Sequence, residues 1–149
     1  ENDRRYIQQL LDNDGEGEMF GRIRLDLGQT MNENLAVFRD QQGMESSLGT
    51  VRALKERYTR VAVPDKGKTF NTNLIFTLEL GFMLDCAETI ALSALERKES
   101  RGAHTRTDMP DRDDENWLRH ILVGQSSDGP QIDFVPVVVT NWQPEVRSY

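Results

Sequence analysis

The chain has 149 residues, 37% of them apolar, which suits one domain, or one domain with a small appendage, around a lean core. A net charge of −7 argues against general nucleic-acid binding, which needs a basic face. One cysteine and two histidines exclude an internal disulfide and a cysteine-cluster metal site, and no apolar run is long enough to cross a bilayer.

The first dozen residues predict a short helix, because Tyr6, Ile7, Leu10 and Leu11 share one face. Residues 12–17 (Asp-Asn-Asp-Gly-Glu-Gly) break it. A second helix is expected from Met19 to Val37, with Phe20, Ile23, Leu27, Met31, Leu35 and Phe38 as its stripe. A third is expected from Met44 to Tyr58, carried by Met44, Leu48, Val51, Leu54 and Tyr58. Pro64 to Gly67 reads as a loop. The longest helix is expected from Thr72 to Lys98. Its first apolar row is Ile75, Leu78, Phe82, Cys86, Ile90 and Ala94; its second is Phe76, Leu80, Met83, Ala87, Ala91 and Leu95. Two adjacent rows predict a wide buried face, and they place Cys86 in the core as a small hydrophobe.

After Glu99 the periodicity stops. A short helical turn is expected over Glu115–His120, capped by Asp113 or Asp114. Arg119–Val123 and Ile132–Asn141 read as strands joined by the turn Ser126–Pro130, with Pro136 marking an edge. The expected fold is mainly α. It is an antiparallel bundle of three long helices, of the spectrin-repeat kind, over 1–99, followed over 100–149 by a charged loop, a helical turn and a hairpin.

Three stretches invite chemistry. Residues 15–21, Gly-Glu-Gly-Glu-Met-Phe-Gly, are glycine-rich, but no strand precedes them and their glutamates repel phosphate, so a helix-joining turn is the better reading. Asp111, Asp113, Asp114 and Glu115 lack calcium-loop spacing, so capping and pairing with Arg106, Arg112 and Arg119 are expected instead of a cation. The third is the charge reversal. Residues 97–106 carry four bases and one acid, and 107–116 carry five acids and one base. Such a loop pairs internally or with another surface; Arg101 and His104 are also chemically fit for a carboxylate.

Residues 100–120, SRGAHTRTDMPDRDDENWLRH, closely resemble a stretch of the succinate dehydrogenase and fumarate reductase flavoproteins. Met31–Arg39, Phe70-Asn71-Thr72, Leu78-Glu79-Leu80 and the ending Arg147-Ser148-Tyr149 resemble further pieces. L-aspartate oxidase and its kin share only a shorter S-R-G-x-H. Met109 and Thr105 depart mildly from the family pattern. The resemblance is to the C-terminal region alone, a helical bundle with an extended tail. It implies FAD and the dicarboxylate site in domains upstream, with no catalytic, cofactor-binding or metal-binding residue in this chain. It implies the upstream FAD-binding and capping domains and an iron–sulfur subunit as partners. Peripheral attachment on the cytoplasmic or mitochondrial-matrix side of a membrane follows. Arg101, His104 and Arg106 are then expected to serve interdomain docking, with Asp113, Asp114 and Trp117 ordering the loop's far end. A start at Glu1, not Met, is expected of a processed or excised piece. The rival readings are a free-standing helical interaction module and a stand-alone enzyme using His104 and Arg101.

Overall fold

The computed structural model describes residues 1–13 and 17–145. Three long helices form the body: α2 (Phe20–Asn34), α3 (Gln41–Tyr58) and α4 (Thr72–Glu96), preceded by α1 (Asn2–Asp12). Local chemistry sets their starts. The Asp40 carboxylate accepts from the Gly43 N–H at 2.7 Å and caps α3. The Asn71 amide oxygen accepts from the Leu74 N–H at 2.9 Å and caps α4.

Side-chain pairs fix the helix directions. Arg57, at the end of α3, reaches back to Asp26 in α2 and to Glu18 before it, while Ser47 meets Thr30 near the other end. Tyr58 donates to the Thr77 carbonyl, and Lys55 and Arg52 hold Glu88 further along α4. In each pair an advance on one helix matches a retreat on the other, so both packings are antiparallel. The core lies in two patches. Ile23, Leu27, Val51, Leu54, Leu80, Leu84 and Ala87 form the larger with Leu10, Val61 and Val63. Leu35, Met44, Leu48, Ala91 and Ala94 form the smaller. Burying each large aliphatic side chain contributes about 1.5–3 kcal/mol.

The extension contains α5 (Asp114–Trp117) and the hairpin β3 (Arg119–Gly124) with β4 (Gln131–Pro136), Ile121 opposite Phe134. Its strand β3 packs on α4. Asp113 caps α5 through the Asn116 N–H, and His120, expected to end that turn, lies in β3. The second strand ends at Pro136, short of Asn141, with one further bond from the Val137 N–H to the Leu118 carbonyl at 3.4 Å.

Three expectations change. Cys86 is exposed, not core. Helix α4 turns Thr77, Leu80, Leu84, Ala87, Ala91 and Ala94 inward onto α2 and α3, and β3 packs on it without closing off its outer face. Ile75, Phe82 and Ile90, from the same expected row as Cys86, therefore face out, as do Phe76 and Met83 from the other. Phe38 leaves the stripe of the second helix, because α2 ends at Asn34 and Phe38 joins a strand. That strand, β1 (Phe38–Arg39), pairs in parallel with β2 (Thr105–Arg106), which two-residue lengths gave no periodicity to predict. The expectations on residues 14–16 and on Arg147-Ser148-Tyr149 lie outside the described residues. No described helix is long and apolar enough to cross a membrane.

Candidate functional site

The charged loop is organised around one buried acid, Glu99, which is 1% exposed. Its Oε1 accepts from Arg97 Nη1 at 2.6 Å and from Arg101 Nε at 2.7 Å. Its Oε2 accepts from Arg101 Nη2 at 3.0 Å and from the Asp113 N–H at 2.8 Å. Burial alone pushes this carboxyl up. The bonds from Arg101, the Asp113 N–H and Arg97 outweigh it and hold Glu99 below its ordinary range. Arg101 Nη2 also donates to Asp114 Oδ1 at 2.7 Å, and Asp114 pairs with Arg112. Gly102 makes the turn beside them possible. The Arg101 and His104 backbones bond to each other, and Gly102 between them takes φ +61°, a conformation that side chains disfavour.

Arg106 lies deeper still and is fully buried. It grips Asp108 with two parallel bonds of 2.7 Å and donates to the Arg97 carbonyl and to Gln41 Oε1, both at 3.1 Å. These bonds hold Asp108 far below the usual carboxylate range. At the far end, Trp117 is buried, with the guanidinium of Arg119 at 4.5 Å and that of Arg97 at 5.5 Å from its ring centre. The Arg119 guanidinium also covers Phe134 at 3.9 Å. Arg97 Nη2 donates to the Arg119 carbonyl at 2.7 Å and ties the loop to the hairpin.

His104 lies on the other side of the loop. Arg39 Nη1 is 2.9 Å from His104 Nδ1. A guanidinium only donates, so Nδ1 accepts and the neutral ring carries its proton on Nε2. Burial first, then the Arg39 charge, lowers the His104 pKa, so the ring is neutral at pH 7. Both residues line an open cleft of ≈ 420 Å³ with Thr89, Ser93, Arg97 and His120.

Thus Arg101, Asp113 and Asp114 meet around Glu99, Arg106 and Trp117 flank that cluster, and His104 stands apart at the cleft. Sequence reading did not single out Glu99, Arg97, Arg39 or Asp108. One signal for Glu99 was present: it is the lone acid among the four bases of 97–106. Of the acidic run, Asp114 pairs with Arg101 and Arg112 and Asp113 caps α5, while Arg106, expected to pair with this run, takes Asp108 instead and Arg119 lies over the Trp117 and Phe134 rings. No cluster of metal-ligating residues occurs among the described residues. The residues do not fit a flavin dinucleotide. The one described helix that follows a strand directly is α3, and two carboxylates already fill its N-terminus: Asp40 on the Gly43 N–H and Asp108 on the Gln41 N–H. They would repel a pyrophosphate.

Comparison with known proteins matches this architecture. The family described as "Fumarate reductase flavoprotein C-term" matches residues 24–149. The fumarate reductase flavoprotein subunit of Haemophilus influenzae is 45% identical over 133 residues, covering 89% of this chain and 22% of that subunit. The Escherichia coli subunit of the same name is 38% identical over 146 residues, covering 96% and 24%. A solved structure of E. coli quinol–fumarate reductase superposes with a TM-score of 0.90 at 36% identity, over 95% of this chain and 25% of that one. The chain therefore spans about a quarter of the length of the relatives it matches. On the family match and these relatives together, the chain belongs to the fumarate reductase and succinate dehydrogenase flavoproteins, as their C-terminal domain.

Proposed function

We propose that this chain is the structural and docking domain of an FAD-dependent succinate dehydrogenase or fumarate reductase. The whole flavoprotein interconverts succinate and fumarate and passes electrons to an iron–sulfur subunit and a quinone. FAD and the dicarboxylate site belong to the domains upstream. The protein attaches peripherally, through partner subunits, to the cytoplasmic or matrix side of its membrane. The observation that carries this reading is the outer face of α4, where a row of apolar side chains lies open in a chain that covers a quarter of its relatives' length. Free monomers rarely expose large apolar patches.

Residues 1–99 act as the bundle and 100–149 as the extension that presents the charged loop. Within that loop Arg101, Asp113, Asp114 and Trp117 keep the shape. Arg106 contributes indirectly, since its bonds are spent inside the chain. His104 is the docking residue proper. Replacing Arg101 by Ala in the whole flavoprotein is expected to lower assembly or flavin retention more than succinate affinity. Normal flavin content with weakened succinate binding would make Arg101 a site residue instead. The reading itself is tested by the intact mass and visible spectrum of the native polypeptide that carries residues 100–120. A chain several times longer with a flavin band supports it. A colourless chain of this length would leave a docking module without redox chemistry.

A further inference from the structure

The cleft beside His104 has an unusual charge balance. Its lining includes Arg39, Arg97, His104 and His120, with hydroxyls from Thr89 and Ser93, and no acid. Yet the chain as a whole is acidic. Most arginines around the loop are neutralised: Arg97, Arg101, Arg106 and Arg112 each hold a carboxylate within 4 Å, while Arg119 is covered by the Trp117 and Phe134 rings and does not line the cleft. Arg39 holds none among the described residues. Its recorded bonds go to neutral acceptors, Nε to the Ala36 carbonyl at 2.6 Å and Nη1 to His104 Nδ1. A partly buried cation without a counter-ion is costly.

We propose that this cleft is a carboxylate-binding site whose occupant is an aspartate or glutamate side chain from the preceding part of the same flavoprotein, with Arg39 as its charge partner. The inference rests on the reading above, since it needs the rest of that polypeptide. Two observations favour a side chain over a free metabolite. The cleft is shallow and open, whereas a small-molecule site encloses most of its ligand. Part of the lining is apolar and uncovered: Ile90 is 47% exposed, next to Ala94 and Ile121. A protein surface laid on that rim would shut out water and bring an acid to Arg39 in one step. Desolvated in this way, an arginine–carboxylate pair gains strength and geometric definition.

The test uses the whole flavoprotein with Arg39→Lys, which keeps the charge and supplies an amine. A water-soluble carbodiimide joins an amine to a carboxylate that touches it, forming an amide with loss of water. Peptide mass spectrometry then locates the bond. The expected product links the amine introduced at position 39 to one aspartate or glutamate outside the 149 residues, in the same polypeptide, and its yield falls when that acid is changed to its amide. Links only to acids within this chain, such as Asp40 or Asp108, would overturn the proposal. So would a link to another subunit, or a succinyl adduct on the introduced amine that depends on added succinate. The same sample distinguishes the two failures. A long polypeptide with a flavin band but no such link sinks the carboxylate site and leaves the flavoprotein reading standing. A short colourless polypeptide sinks the reading itself.

Discussion

The two faces of α4 have similar apolar composition and opposite fates. Leu80, Leu84, Ala87, Ala91 and Ala94 are buried against α2 and α3, while Ile75, Phe82, Cys86 and Ile90 face outward, Phe82 with 66% of its surface open. The charged loop repeats the contrast. Glu99 and Arg106 are fully paired inside it, whereas Arg39 and His104 face a cleft with no acid. Each pair has one half completed within the chain and one half left open. The inner halves hold the domain together, and the outer halves are the surface that the proposed docking role would use.

The strongest way to break the completed half is Glu99→Gln. It takes from Arg97 its one carboxylate and from Arg101 one of two, around a buried position, and a loss of about 3–5 kcal/mol is expected from urea unfolding. A loss under ~1 kcal/mol would show that solvent reaches the cluster. Next, Leu84→Ala set against Phe82→Ala isolates the two faces of one helix. The inner change is expected to cost about 2–5 kcal/mol and the outer about 0.5 kcal/mol or less in the chain by itself. Equal losses would mean that the faces are not different. Gly81→Ala probes the α3–α4 contact, because the added methyl would come within 2.7 Å of the Tyr58 hydroxyl. Displacing the Tyr58 bond to the Thr77 carbonyl should cost about 1–3 kcal/mol by thermal unfolding.

The smallest effect is on the pH profile. His104 is lowered by burial and by Arg39, so its neutral form belongs to the fold. Its contribution is present above the unfolded histidine pKa of about 6.5 and is lost as pH falls below it. Glu99 and Asp108 are also held low, so theirs persists above the ordinary carboxylate range and is lost further down the acid limb. Urea midpoints should therefore fall in two stages on acidification, and His104→Gln should remove the first. A first stage unchanged by that substitution would assign it to another group.

The bundle was legible in the sequence because helical spacing writes itself over fifteen or more residues. Ile23, Leu27, Leu54 and Leu80 were expected inside and are inside. Cys86 was not legible. Periodicity says which side chains are apolar and not how many neighbours are available to cover them. The loop was visible as a reversal of charge, but its centre was not. Glu99 is buried by contacts from residues 97, 101 and 113, a closure that no spacing rule encodes. Arg39 was missed because β1 and β2, which bring it to His104, are two residues long. The short elements are set by tertiary contacts rather than by local pattern.

The claim that the outer halves are covered in the whole protein is tested most directly by thiol labelling at Cys86. The 149-residue chain and the native flavoprotein that contains it are each treated with a maleimide, and the peptide bearing Cys86 is quantified by mass spectrometry. Rapid labelling is expected in the chain, where the thiol is exposed, and strong protection in the native protein. Equal labelling in both would contradict it, and the open face of α4 would then need another explanation.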